Sequence, residues 1–280
     1  LSLSIVRYLD GYKVVSVHGA GGKLYIGTQG FSFKDWVGPF YPQGTPSSRY
    51  LEEYVRHFNS VEIDATFYGA PRFSTVEGWR KRTPEGFRFT AKFPRLVTHE
   101  KKLDRAMGDA EAFVGTMRAL GDKLGVLTLQ FAYDFTPDLF DRLDAFLSAL
   151  PEGPRYAVEV RNRGWLTTDL GEMLSSHNVA LVLQDLHYMP RLDWITADFT
   201  VIRWLGRRKD IHTFDRIQID RTEVLETWAA MVGQFLEDDV DVFGFFNNHF
   251  AGHSPASVRQ FAEILGHELQ PLVQQEDPRQ

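Results

Sequence analysis

The 280-residue chain contains no cysteine. That absence excludes a disulfide framework, a thiolate nucleophile, cysteine-ligated zinc, an iron–sulfur cluster and c-type haem attachment. Any metal would have to be held by His, Asp, Glu or carbonyl oxygens. The sequence also lacks a run of 18 uncharged apolar residues, so no transmembrane helix is expected. Arg7, Asp10 and Lys13 interrupt the N-terminal stretch where the apolar region of a signal peptide would lie. No linker rich in Pro, Gly or Ser divides the chain. Neither G-x-x-x-x-G-K-[ST], G-x-G-x-x-G nor H-E-x-x-H occurs. What is present is ordinary globular composition, 43% apolar and 24% charged. The 31 basic residues against 37 acidic ones give a net charge of −6, which argues against general nucleic-acid binding at the whole-chain level. A soluble cytoplasmic protein without a membrane segment is the expectation.

Strand-like and helix-like patterns alternate along the chain. The β-rich runs are 23–30, 60–68, 86–94, 125–131, 155–161, 179–185, 199–206 and 241–248. Between them apolar residues recur at helical spacing, as in Leu139, Leu143, Phe146, Leu147 and Leu150, or Val224, Leu225, Trp228, Met231, Val232 and Phe235. Pro46-Ser47-Ser48, Ser74 with Glu77, and Thr136-Pro137-Asp138 mark helix starts. Eight strand–helix repeats over about 250 residues predict an α/β fold, a single TIM-like (β/α)8 barrel; a doubly wound sheet is the alternative that counting leaves open. The expected organisation is an N-terminal extension over 1–22, the barrel over 23–267 and a C-terminal tail over 268–280.

Strand residues alternate between the helix layer and the barrel interior. In the second strand Val61, Ile63, Ala65 and Phe67 oppose Glu62, Asp64, Thr66 and Tyr68. In the third, Phe87, Phe89, Ala91 and Phe93 oppose Arg88, Thr90 and Lys92. In the fifth, Tyr156, Val158 and Val160 oppose Ala157, Glu159 and Arg161. With the apolar sets against the helices, the interior is unusually polar, and charges placed there must be paired or functional. The C-terminal strand ends, where such barrels place their active sites, would gather Gln29, Thr66, Tyr68, Lys92, Arg95, His99, Gln130, Glu159, Arg161, Asp185, Arg203, Asn247 and Asn248. Two readings stay open: a ligand site, or an internal ion-pair network that only holds the barrel.

Two loops after strands are locally basic, 95–102 and Arg207-Arg208-Lys209. Converging on one rim beside Lys92, Arg161 and Arg203, they predict a positive mouth that attracts an anion. Trp36 and Trp165 follow strands and are candidates for lining the pocket, whereas Trp79 and Trp228 fit inner helix faces. His249 and His253 are four apart, but Ala251, Gly252 and Pro255 make the segment a loop and weaken a metal reading. No metal and no cofactor is expected.

The segments YIGTQGFSFKDWVGPFYP, HFNSVEIDATFYGAP, FRFTAKFPRLVTHEKKL, LGVLTLQF, YAVEVRNRGW, LVLQD and FGFFNNHFAGH, in this order, resemble the domain of unknown function 72 family, also called YecE-like. The resemblance covers about 24–267 and implies a TIM-barrel-like fold; the family has no established activity. One departure stands out. Many members carry a His immediately before the glycine that follows the seventh strand, whereas Leu205 precedes Gly206 here.

The functional expectation is a pocket for a small anionic or phosphorylated ligand. Lys92, Arg161, Arg203, Tyr68, Gln130, Trp165, Asn247 and Asn248 would bind it. Glu159 or Asp185, with Glu62 and His99 nearby, would supply the acid–base chemistry of a hydrolase or isomerase. The alternative partner is a nucleic acid, held on loops 95–102 and 207–209 with Trp36 or Trp165 stacking a base, with or without metal-dependent phosphodiesterase activity. A two-carboxylate glycosidase is disfavoured, since the fourth and seventh strands end in Gln130 and Arg203. The sequence says nothing of oligomeric state.

Overall fold

A computed structural model describes residues 21–207, 209–269 and 272. The expected N-terminal extension and C-terminal tail fall mostly outside those residues. Eight parallel strands close into a barrel in sequential order: β1 (Leu24–Gln29), β2 (Ser60–Ile63), β3 (Arg88–Lys92), β4 (Leu124–Gln130), β5 (Arg155–Glu159), β6 (Ala180–Asp185), β7 (Phe199–Trp204) and β8 (Asp241–Phe246). Closure is made by β1 against β8, with Leu24 beside Val242 and Thr28 beside Phe246. The eight strands and the TIM-like architecture are as the alternation of the sequence predicts.

The outer layer contains α1 (Tyr50–Tyr54), α2 (Phe73–Lys81), α3 (Met107–Met117), α4 (Phe140–Ala149), α5 (Thr168–Ser176), α6 (Thr222–Glu237), the short α7 (Asn248–Ala251) and α8 (Ser254–Leu265). Their apolar stripes meet the outward strand residues in one large cluster that includes Ile26, Val61, Phe89, Leu127, Val158 and Ile202. A second, smaller cluster fills the lower barrel interior: Val126, Ala157, Ala180, Val182, Phe199, Val201, Phe243 and Phe245. The buried cluster of Glu62, Lys92, Glu159 and Arg203 sits above this plug, towards the C-terminal strand ends.

The structure departs from the expected repeat in two places. No α-helix joins β6 to β7; residues 186–198 instead cross as an irregular segment. Pro190 removes a backbone donor and disfavours a helical Met189 before it. The segment is fixed by burial of Leu186, Met189, Trp194 and Ile195, and by Thr196 Oγ1 donating to Val179 O at 2.7 Å. The second difference is that β2 stops at Ile63, five residues before the predicted end. Asp64–Phe67 turns into a 3-10 helix, pinned by Thr66 Oγ1 on Ile63 O at 2.9 Å and on Lys92 O at 2.8 Å.

Candidate functional site

The inward positions of seven strands, β1 to β7, build one polar cluster. In a parallel sheet paired residues on neighbouring strands share a face, and the register aligns Gln29 with Glu62, Gln130 with Glu159 and Gln184 with Arg203. At the centre is Arg203, only 2% exposed. Its Nε and Nη2 donate to Glu62 Oε2 at 3.1 and 3.0 Å, its Nη1 to Glu159 Oε2 at 2.6 Å, and its Nη2 also to Gln29 Oε1 at 3.1 Å. Arg161 closes on the other Glu159 oxygen, and Lys92 pairs with Asp64 while lying 3.9 Å from Glu62. Asn247 Nδ2 donates to Gln29 Oε1 at 2.9 Å, which ties β8 into the same network.

The electrostatics follow from burial and pairing. Burial pulls the Arg203 guanidinium down, but Glu159, Glu62 and Asp64 outweigh it and hold it above its ordinary range. Burial likewise pushes Glu159 up, and Arg161, Arg203 and Lys92 reverse this, leaving the carboxyl below its ordinary range. At Glu62 the balance falls the other way: burial dominates over Arg203 and Lys92, and the carboxyl is raised. Its second oxygen, Oε1, is buried without a hydrogen-bond partner among the described residues.

Above the network opens a cleft of about 780 Å³. Lys92, Arg161 and Arg203 face it from below with Asp64, and Arg207 and Lys209 stand on its rim with Asp210. Arg207 and Lys209 are exposed and have no carboxylate ion-pair partner among the described residues. The carboxylates of Glu62 and Glu159 are fully buried beneath the cations and do not line the cleft. The cleft therefore offers a ligand mainly N–H donors.

Several sequence expectations are corrected. Asp185 faces the helix layer, not the lumen: its Oδ2 accepts from Trp228 Nε1 at 2.9 Å and lies 3.5 Å from Arg191. The inward residue is its neighbour Gln184, because the uniformly apolar run before it gives no parity from sequence. Trp165 is 1% exposed, stacks on Phe135 at 5.4 Å and donates to Phe135 O at 2.7 Å, so it is core. Trp36 is fully buried and donates to Asn248 Oδ1 at 3.2 Å. Asn248 spends that same oxygen on Ser254 N and Oγ, which makes it a joint between α7 and α8. Tyr68, released by the early end of β2, is 76% exposed and outside the cleft lining.

His99 stands against Phe67, 4.9 Å between ring centres, and does not line the cleft; burial and Arg95 lower its pKa. The basic loop 95–102 is neutralised by its surroundings: Arg95 pairs with Glu100 at 3.0 Å, Lys101 with Asp109 at 2.5 Å and Lys102 with Asp134 at 2.7 Å. Only the second basic run reaches the cleft, and its Arg208 lies outside the described residues. Of the expected binding residues, Lys92, Arg161, Arg203, Gln130 and Asn247 do line it.

Asp64, His187, Tyr188 and His249 also line the cleft, and none of them is expected from sequence in a ligand-binding or catalytic role, His249 being weighed only as a metal ligand with His253. Asp64 was detectable, two residues after Glu62 in the same polar set. His187 and Tyr188 needed the helix-free 186–198 crossing to be known. Gly206 secures this corner: with φ at +68°, an added Cβ would stand 1.9 Å from His249 O. Among the described residues, no group of three or more His, Asp or Glu is arranged to hold a metal ion, and no helix is long and apolar enough to cross a membrane.

Comparison with known proteins supplies a family and a fold. The model "Protein of unknown function DUF72" matches residues 25–280. The chain is 37% identical over 139 residues to UPF0759 protein YecE of Escherichia coli K12, a match spanning 50% of this chain and about half (48%) of that protein's length. It is 25% identical over 299 residues to UPF0759 protein YunF of Bacillus subtilis, covering 92% of this chain and 98% of that one. The crystal structure of a DUF72 family protein from Thermotoga maritima superposes with a TM-score of 0.76 at 27% identity, over 88% of this chain and all (100%) of that one.

Proposed function

The chain belongs to the DUF72 family of proteins of unknown function, and on that footing we propose that its strand-end cleft binds a small anionic ligand, phosphorylated or carboxylated. The observation that carries the reading is the split between spent acceptors and available donors. Lys92, Arg161 and Arg203 are balanced by Glu62, Asp64 and Glu159, but the two fully buried glutamates sit under the cations while Arg161, Lys92, Arg207 and Lys209 line the cleft. A ligand rich in acceptors completes these N–H groups; a cation meets them with repulsion.

In this reading Glu62 and Glu159 are braces that position Arg203 and Arg161. Acid–base work of a hydrolase or isomerase kind would fall to Asp64, the partly exposed carboxylate that lines the cleft beside Lys92 and Arg203. The nucleic-acid reading loses two supports, since loop 95–102 is internally paired and both candidate stacking tryptophans are buried.

The test is a thermal-shift and calorimetric screen of sugar phosphates and small carboxylic acids against the wild type, Arg161→Ala and Arg207→Glu. A hit that raises the melting midpoint of the wild type, and whose affinity drops at least tenfold in both variants, supports the cleft. Hits that bind both variants as tightly as the wild type would remove it.

A further inference from the structure

The opposite end of the barrel carries a second concavity, and its charge is less compensated than that of the cleft. It measures about 670 Å³ and is framed by Lys23, Arg88, Arg118 and Arg155, with Asp241 as its one carboxylate. These residues come from the start of β1, β3, the end of α3, and the starts of β5 and β8. No basic run in the sequence announces them; closure of the barrel brings them together.

Asp241 is already engaged. Its Oδ2 lies 2.9 Å from Arg155 Nη1, and its Oδ1 accepts from the Lys23 backbone N–H at 2.9 Å. Arg88, Arg118 and the Lys23 ammonium have no carboxylate partner among the described residues. Arg118 reaches the Glu152 carbonyl and Arg88 the Phe87 carbonyl at 3.2 Å, neutral acceptors that leave the charge uncancelled.

Two of the guanidiniums lie over aromatic rings, Arg88 without an acid partner among the described residues and Arg155 in addition to its pairing with Asp241. Arg88 sits 5.4 Å from the centre of the Tyr25 ring, and Arg155 sits 5.2 and 5.6 Å from the Phe199 and Phe243 rings. Tyr25 and Phe243 are themselves stacked at 4.7 Å, which makes a rigid floor. Aromatic contact fixes a guanidinium without consuming its charge or its in-plane N–H donors. Gly125 keeps the floor open: a Cβ there would come within 3.1–3.2 Å of the Phe243 ring, Phe89 O and Thr90 Oγ1.

We propose that this pocket at the N-terminal end of the barrel is a binding site for an oligophosphate, a di- or triphosphate chain either free or carried by a nucleotide. Planar guanidinium forks match phosphate oxygens in pairs. Four cations set against one engaged carboxylate call for a ligand with several negative charges, and the volume exceeds what one orthophosphate fills. Among the described residues no His, Ser, Thr or further carboxylate lines the pocket, so its lining suits anion binding and not acid–base chemistry.

The experiment is calorimetric titration with sodium tripolyphosphate, followed by competition with ATP. The variants are Arg118→Glu and Lys23→Glu, both at exposed positions, Arg207→Glu, which weakens the strand-end cleft, and Arg72→Glu, exposed and outside both cavities, as the control. A saturable component of binding that is weakened at least tenfold in Arg118→Glu and Lys23→Glu but kept in Arg207→Glu and Arg72→Glu supports the site. Displacement by ATP assigns a nucleotide-borne phosphate; tripolyphosphate resisting ATP assigns a free chain. Absence of saturable binding, equal binding by the Arg118 and Lys23 variants, or loss confined to Arg207→Glu overturns the proposal. The last result leaves the strand-end cleft standing, so the two sites are separable.

Discussion

Arg203 on β7 meets Glu159 on β5 at 2.6 Å, 44 residues apart in sequence, the carboxylate fully buried and the guanidinium reaching the cleft with 2% exposure. The strand between them, β6, contributes no charge to the lumen, because Asp185 points outward to Trp228. A buried ion pair of this kind is weak evidence for stability taken as a whole, but strong evidence for what happens when one half is removed.

Replacing Arg203 by methionine leaves Glu62 and Glu159 facing each other without their shared partner. The expected cost is about 3–5 kcal/mol, the usual penalty for uncompensating a buried charge. Urea denaturation at neutral pH measures it. A variant as stable as the wild type would show that the lumen is hydrated enough to screen the two glutamates.

The two glutamates should respond to pH in opposite senses. Glu159 titrates below its ordinary value of 4.5 when folded. Its ionised form therefore contributes stability above that value, which is lost as pH falls through the lower folded value. Glu62 is raised above 4.5. Its contribution is complete below 4.5 and is lost as pH rises through the folded value. The destabilisation caused by Glu159→Gln should thus grow from pH 3.5 to 7, and that caused by Glu62→Gln should shrink over the same range. Parallel slopes in chemical denaturation of the two variants contradict the assignment.

His253 is 4% exposed, packs edge-on to Trp36 at 6.2 Å, and is lowered to about 4 by burial and by Arg259 against Asp215. His57 is lowered to about 4 by burial with Arg259 and Arg56. Both contribute stability that is fully present above 6.5 and is lost as pH falls from 6.5 towards 4. The unfolding free energy of the wild type should decline across that window, and His253→Gln should decline less steeply. Equal slopes would exclude His253 as a source of acid sensitivity.

Trp165→Ala should cost about 3–5 kcal/mol, as large-to-small changes in a packed aromatic core do. With Trp165 stacked between Phe135 and Phe140, the loss belongs to the core of the fold. If the variant keeps wild-type stability and loses only ligand affinity, the tryptophan belongs to the pocket after all.

Gly206→Ala tests the corner that carries Arg207. With φ at +68° and His249 O at 1.9 Å from the added Cβ, the loop must move. The expected result is a loss of more than about 1 kcal/mol, together with weaker binding of any ligand that needs Arg207. Unchanged melting and binding would mean that the loop between β7 and α6 adapts freely.

The repeat pattern narrowed the fold to a barrel or a doubly wound sheet, and the pairing of β1 with β8 decided for the barrel. Eight β-rich runs alternating with helical periodicity leave few solutions, and the polar parity of Glu62, Lys92 and Glu159 was legible because each sits among apolar neighbours of opposite phase. The family was legible from its ordered segments. Parity failed where it had no contrast: in Val179-Ala-Leu-Val-Leu-Gln-Asp185 both faces are apolar until the end, so only the register of Gln184 beside Arg203 and Asp185 beside Trp204 decided which residue enters the lumen.

Tertiary structure alone decided which charges are spent. Loop 95–102 and loop 207–209 look alike as sequence, but Asp109 and Asp134 come from elsewhere in the chain to neutralise Lys101 and Lys102, while Arg207 and Lys209 form no ion pair with an acid among the described residues. The cationic floor is a similar case. Lys23, Arg88, Arg118 and Arg155 are scattered over more than a hundred residues, and closing the barrel between β1 and β8 is what sets them around one cavity. Composition fixes how many charges a chain has; only packing fixes which of them still lack a counter-charge.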